Sequence, residues 1–422
     1  MISIRELGAT GTGLRSETDI LQKAFDLSSR TGETVKIEKG IYMTGTLFLR
    51  DNTKIEFEDG ACIVGSDNFA DYSEDVNLFT DAVGHLRGRS LIYGDGVENV
   101  QFSGPGIIDG RGGIFSANHP NHLERPFLVR IMNTKNIKIS GVTLTKSAAW
   151  TLHLMNCENI CVEDVFIHSR VNGNNDGIDI DACRNCRINR CRIDTGDDAI
   201  CLKSTVDRPC SNISVRDCVI TTDWAGFKIG TESVGDFSNI LFEDSYIYDC
   251  QGCAIKICPV DGANLDGLTI RNIHLRNSTG PIFIANGDRL RSYQAGNQRQ
   301  TSGTIENVAI SGLSGDCVDA AGTKYQGEEW GNAKSAICIS GTAEHHISNI
   351  TLKDITLNMA GGVSEYSPHP IPPMGKRYPE FHNFGILPAW GLYVRYVNNL
   401  TTENLKLSVK EADVRPGSVI ES

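Results

Sequence analysis

One pattern recurs along the chain: two residues, an Asn, an aliphatic residue, then alternating apolar positions. It falls at Asn99, Asn136, Asn159, Asn185, Asn212, Asn239, Asn307, Asn349 and Asn399. By subtraction, the steps from Asn136 through Asn159, Asn185 and Asn212 to Asn239 are 23, 26, 27 and 27 residues. Self-similarity at a period of about 20–50 residues is the mark of a stacked repeat and outranks any local motif. The segments CENICVEDVFI (157–167), CRNCRINRCRI (183–193), CSNISVRDCVI (210–220) and FSNILFEDSYI (237–247) superimpose without a gap, and LDGLTIRNIHL (265–275) follows with Gly267 in the Asn column.

Each unit holds short runs of period-2 alternation rich in Ile, Val, Leu and Thr, broken by Gly, Asp and Asn, which read as strands between tight turns. A unit this short has no room for a crossover helix between strands. Coiling the strands into rungs about 4.8 Å apart satisfies both facts. The expected fold is therefore all-β: a right-handed, single-stranded parallel β-helix of about ten rungs, forming one domain over 1–422. The 43 Gly and the 7% aromatic content suit its many turns and thin core. The Asn column is expected to hydrogen-bond along the stack, and the columns Cys157–Cys183–Cys210 and Cys191–Cys218 to fill the core. The helix candidate is 16–28, with a capping box between Ser16 and Asp19 and an apolar face of Ile20, Leu21, Ala24, Phe25 and Leu27, placed to cover the open N-terminal end.

Charge narrows the partners. With 40 Lys+Arg against 52 Asp+Glu the chain carries −12, which argues against nucleic acid or an anionic membrane as a partner. No apolar run approaches the roughly 18 residues of a membrane-spanning helix, and Met1-Ile2-Ser3-Ile4-Arg5 opens without an export-signal pattern. A cytoplasmic location is expected for the chain as it stands, or a secreted or periplasmic one if a signal was removed. Fourteen Cys then read as buried thiols. The pairs Cys183-x-x-Cys186 and Cys250-x-x-Cys253 lack companion ligands at zinc spacing, so neither a metal nor a cofactor is expected.

Registering the rungs aligns VRI (129–131), LHL (152–154), IDI (178–180), ICL (200–202), FKI (227–229), IKI (255–257) and IFI (282–284). The flanking aliphatic residues face the core, so the middle residues Arg130, His153, Asp179, Cys201, Lys228, Lys256 and Phe283 face outward as a stripe. An ionic stripe can be a solvated face. The segments just before two of the triplets, NNDGID (174–179) and TGDDAICLK (195–203), point further. They set Asp176 and Asp198 at one register on adjacent rungs with Asp197 beside them. Crowded carboxylates repel unless one is protonated or a cation intervenes. Opposed carboxylates of unlike pKa are what glycoside hydrolysis uses, a protonated acid for the leaving oxygen and a carboxylate to activate water. Lys203, Lys228 and Lys256 nearby suit a substrate bearing carboxylates.

NNDGID, GDDAI, WAGFKIG (224–230) and AIK (254–256), in this order on a β-helix, resemble the pectin-degrading glycoside hydrolases of family 28 type, the polygalacturonases and rhamnogalacturonan hydrolases. GPGIIDGRG (104–112), ISGVTL (139–144), Trp150-x-x-His153 and LPAWGLYVR (387–395) resemble the bacterial members. The resemblance implies Asp197 as general acid, Asp176 and Asp198 as the pair that activates water, inversion at the anomeric carbon, and Lys256 as a contact to the substrate carboxylate. Two departures, Ala225-Gly226 for His-Gly and Ala254 for Arg, tilt the expected substrate from homogalacturonan toward a rhamnose–galacturonate or related acidic pectic oligosaccharide. Trp150 and His153 are expected to contact the sugar, together with Arg130, Asp179, Lys203 and Lys228. The Pro- and aromatic-rich segment 360–390 and the segment 286–303 are expected to wall the cleft. Two rivals stand beside this reading. A lyase on the same fold would need Ca²⁺ and a base for the C5 proton; a non-catalytic sugar-binding β-helix would keep the stripe without an acid/base pair.

Overall fold

The computed structural model describes residues 1–81, 84–319 and 335–421, with the backbone of 324–325 and 328–329. The chain forms two compact units, Met1–Asp197 and Asp198–Ser422. Both are parallel β-helices, as the repeat predicts.

In the first unit each turn of the helix contributes three short strands. The central stack runs Lys54–Phe57, Glu98–Ser103, Lys135–Ser140, Glu158–Glu163, Arg184–Asn189, with Val100, Ile137, Ile160 and Cys186 in register. Its apolar positions are buried and the intervening ones exposed, so the period-2 pattern is the pleat of a half-solvated sheet. The Asn column behaves as expected. Asn136 donates to Asn99 at 2.9 Å, Asn159 to Asn136 at 3.1 Å and Asn185 to Asn159 at 3.2 Å. These Asn residues sit at φ between 57° and 61°, the left-handed region that Asn tolerates better than most side chains. Cys157 and Cys183 stack inside, the Cys157 N–H donating to the Cys183 sulfur at 3.3 Å.

In the second unit the outer strands lengthen and fuse round the corner, as in Phe237–Tyr248, Leu265–Ser278, Ile305–Cys317, Ile347–Gly361 and Val397–Glu411, paired in order. The ladder continues from Asn239 to Asn212 at 2.7 Å and from Asn399 to Asn349 at 3.0 Å. Gly267 fills the missing Asn position at φ 81°, which a side chain without amide chemistry rarely adopts. Buried thiols bond to main-chain carbonyls, Cys250 to Trp224 at 3.1 Å and Cys253 to Gly280 at 2.7 Å. Burial pushes the Cys250, Cys258 and Cys317 thiols up to about 12.

The helix spans Thr18–Thr31 and buries Leu21, Ala24, Phe25 and Ser28. Its start differs from the expected 16 because Thr12–Ser16 pairs as a strand with Gly40–Thr44. The capping box does not form: the N-cap is Glu17, with no side-chain cap bond. Glu17 instead turns back to accept from the Thr10 N–H and hydroxyl at 2.5 and 2.6 Å. The helix covers the coil through Gln22, whose amide donates to the Phe48 carbonyl at 2.9 Å and accepts the Phe48 N–H at 2.8 Å. That pair satisfies the polar edge which an open first rung would expose.

The ladder makes a test possible on an exposed side chain. Asn136→Ala should destabilise the protein by about 1–2 kcal/mol, from the strained left-handed backbone plus two surface amide bonds. Asn136→Gly, which relieves the backbone, should cost clearly less. Urea melts of the two variants check this, and equal losses would assign the column to side-chain bonding alone.

Candidate functional site

In the first unit the expected column forms in register, Arg130, His153 and Asp179 being consecutive partners across parallel strands, and the structure adds Tyr93 ahead of Arg130. The NND loop ahead of it is held by Asn175. Its Oδ1 accepts the N–H groups of Val171 and Asn172 at 2.8 and 2.7 Å, and its Nδ2 donates to the carbonyls of Ser147 and Ala149 at 2.8 and 3.0 Å. Asn174, at φ 55°, offers its Oδ1 to both Arg87 and Arg125 at 3.0 Å. The Asp176 carbonyl accepts from Thr151 at 2.9 Å. Both sides of Asp176 are thus fixed before any ligand arrives.

Asp197 is set by the Thr195 hydroxyl, which donates to its carbonyl at 2.7 Å, and by Gly196, whose N–H bonds Ser169 at 2.8 Å. The Asp176 and Asp197 carboxylates bring an oxygen of each within 4.8 Å. That span is one a single water can bridge, since each of its hydrogen bonds is about 2.7–2.8 Å long. Asp197 is 8% exposed against 3% for Asp176, so of the two it is the more open to an incoming molecule.

The remaining predicted residues of this unit are packed away. Arg130 lies over the Phe79 and Phe127 rings at 5.1 and 5.7 Å and donates to His153 Nδ1 at 3.3 Å and to the Asn77 carbonyl. Burial lowers its guanidinium to about 10. His153 Nε2 faces Asp181 Oδ2 at 3.3 Å, and Trp150 stacks on Phe127 at 5.2 Å. Asp179 is fully buried.

In the second unit the column continues as Cys201, Lys228, Lys256 and Phe283, again in register. The stripe does face away from the core, but it is not a solvated face: both lysines are 1% exposed. The segment 360–390 roofs them. Tyr378 accepts a hydrogen bond from Lys228 Nζ at 3.0 Å, Glu380 pairs with Lys256, and Phe381 packs on Phe283 with ring centroids 4.4 Å apart. Lys228, Lys256 and Phe283 therefore each meet a roof residue of matching chemistry. Asp198 is bound to the same row, one oxygen 2.6 Å from Lys228 Nζ and the other accepting the Ala225 N–H at 3.3 Å. Burial works against the Lys228 charge, but the Asp198 carboxylate outweighs it and holds the ammonium well above its usual range. Lys203 pairs with Glu232 at 3.5 Å. Burial alone would raise Glu232, yet Lys203, Lys228 and Arg289 together depress it to about 2. Burial keeps Glu380 above the ordinary carboxyl range, with Lys256 offsetting part of the effect. From 286–303, Arg289 forks onto Asp261 at 2.8 and 2.5 Å and lies over the Tyr378 ring at 5.7 Å.

A sequence profile described as glycosyl hydrolases family 28 matches residues 76–367, well over half of the chain. The chain belongs to that family. Relatives of this family 28 chain include a probable polygalacturonase of Vitis vinifera, 28% identical over 65% of this chain and 60% of the relative. An exo-poly-alpha-D-galacturonosidase of Dickeya chrysanthemi is 24% identical over 66% of this chain and 55% of the relative. The match thus spans little more than half the length of these curated relatives. Among solved structures, a hyperthermoactive exopolygalacturonase from Thermotoga maritima superimposes with a TM-score of 0.71 at 20% identity, covering 85% of this chain and 87% of that one. It shares the fold. Among the described residues no helix is long and apolar enough to cross a membrane.

Tyr378 and Glu380 lie within a segment the sequence marks by its prolines and aromatics; Glu232 and Asp261 carry no such mark, because their partners Lys203 and Arg289 sit a rung or so away in the chain. Glu232 gives a pH test. Its folded pKa lies below 4.5, so its stabilisation is fully present above that value and is lost as pH falls through about 2. Over that window Glu232 should account for about 3 kcal/mol of the fall in unfolding free energy. Urea melts at pH 6, 4 and 3 should show a shallower acid slope in Glu232→Gln than in the parent; parallel slopes would remove Glu232 from the balance.

Proposed function

We propose that this family 28 chain is a glycoside hydrolase, acting as one catalytic domain on α-linked galacturonate- or rhamnose-containing pectic oligosaccharides. Asp197 protonates the glycosidic oxygen. Asp176 and Asp198 accept the proton of a water that attacks the anomeric carbon from the opposite face, so the bond breaks with inversion. One observation carries the reading: Asp176 and the more open Asp197, on main chain held by hydrogen bonds, bring their carboxylates within 4.8 Å, where they can share a water. The residue after them, Asp198, accepts a hydrogen bond from the Lys228 ammonium at 2.6 Å. In the second unit Lys203, Lys228 and Lys256 form the charged frame behind the sugar; in the first, Arg130 and Asp179 hold the column, with Trp150 and His153 in the packed layer beside them.

Asp197→Asn should lower kcat by roughly 10²–10⁴-fold on every accepted substrate, the usual worth of a positioned general acid. Undiminished turnover, or a chelator-sensitive reaction giving an unsaturated, ultraviolet-absorbing product, would sink the assignment. The anomer of the first-formed product, read by proton NMR, tests the stereochemistry. Inverting pairs usually stand about 6.5–9.5 Å apart and retaining pairs about 5–5.5 Å. The short oxygen-to-oxygen approach of Asp176 to Asp197 makes retention, with Asp176 as nucleophile, the second reading. Inversion is the expected result.

A further inference from the structure

Four cations of the second unit each have a carboxylate of their own. Lys228 meets Asp198 at 2.6 Å, Lys203 meets Glu232 at 3.5 Å, Arg289 meets Asp261 at 2.5 Å, and Lys256 meets Glu380. All eight side chains are less than a tenth exposed. A substrate carboxylate can reach such an ammonium only by breaking the existing pair, which leaves a buried charge uncompensated.

Three of these carboxylates belong to the coil near their partners, or to the turn beside them. Glu380 alone is brought in by the roofing segment, and that segment is fastened down. Arg395 donates to the carbonyls of Ile371 and Pro372 at 2.6 and 2.7 Å. The Asp288 N–H bonds the Gly375 carbonyl at 3.1 Å, and Arg377 bonds the carbonyls of Met374 and Asn383 at 3.2 and 3.1 Å. Phe381, next to Glu380, is stacked on Phe283. Glu380 is therefore fixed over Lys256, and of these roof residues the half-buried Tyr378 is the one a ligand can touch.

We infer that Glu380 is a specificity-determining residue: it occupies Lys256 in place of a substrate carboxylate, so the sugar lying on Tyr378, above the buried Lys228–Lys256 row, is an uncharged one. The inference rests on the hydrolase reading above and narrows it, since a uronate in the substrate must then be recognised away from this row. An uncharged partner is either a neutral sugar or an esterified uronate.

The test uses the full chain and galacturonate oligomers of one length, as free acids and as methyl esters, with neutral oligomers of the same length as a third arm. The parent enzyme should show a higher kcat/KM on an uncharged form than on the free acid, with a KM for the acid that changes little with salt. Faster turnover of esters or of neutral oligomers identifies which uncharged sugar is accepted. Glu380→Gln keeps the shape but leaves Lys256 as an unpaired ammonium, and should raise the acid-to-ester ratio about tenfold through KM, the order of one ion pair. A parent enzyme that prefers the free acid with a strongly salt-dependent KM, or a ratio unmoved in Glu380→Gln, overturns the inference while leaving hydrolysis intact. If Glu380→Gln does not fold, the parent's ratio and salt dependence decide alone. Turnover of no form by the parent overturns the hydrolase reading itself, and this inference with it.

Discussion

Everything in this protein follows from stacking like positions about 4.8 Å apart in parallel register. A residue type repeated at one position of the coil must tolerate its own copies as nearest neighbours. Aliphatic residues do so by packing. Asn does so by bonding amide to amide while its backbone takes a left-handed turn, as at Asn99, Asn136 and Asn159. Cysteine does so as a buried thiol bonded to main-chain carbonyls. Ionisable residues cannot do so without help, because desolvated like charges repel.

That difficulty shapes the chemistry. Stacked lysines and crowded aspartates are brought together by the coil, and each unit answers with partners drawn from elsewhere in its own chain. In the second unit the partners are Asp198, Glu232, Asp261 and Glu380. In the first, the Asn174–Asn175 loop spends its side chains on holding the backbone around Asp176. The result is a set of charges fixed before substrate binds, in surroundings where electrostatic interactions are stronger than in water. Tight pairing has a second effect: a cation with a buried partner adds little net attraction for a distant anion, so lysines visible in a sequence do not by themselves announce an anionic ligand.

The parts that escaped the sequence share one physical feature. Gln22 as the cover of the strand edge at Phe48 depends on where the helix docks against Leu47–Phe48. Tyr378 and Glu380 depend on how a segment without periodicity crosses the column more than a hundred residues after Lys228 and Lys256. Arg130, His153 and Trp150 are in the expected rows, yet their burial depends on Phe79 and Phe127 arriving from neighbouring segments. None of these contacts repeats, so none leaves a period to read.

The sequence by itself determined the β-helix, the register of the column within each unit, from Arg130 to Asp179 and from Cys201 to Phe283, the Asn ladder and the nearness of Asp197 to Asp198. Repetition at a fixed interval, together with period-2 alternation, leaves the chain only one way to bury its apolar faces. The tertiary structure alone decided which members of the column meet solvent and which meet a counter-charge. That depends on side chains from non-repeating segments, whose positions are set by packing at long range and are encoded in no local pattern.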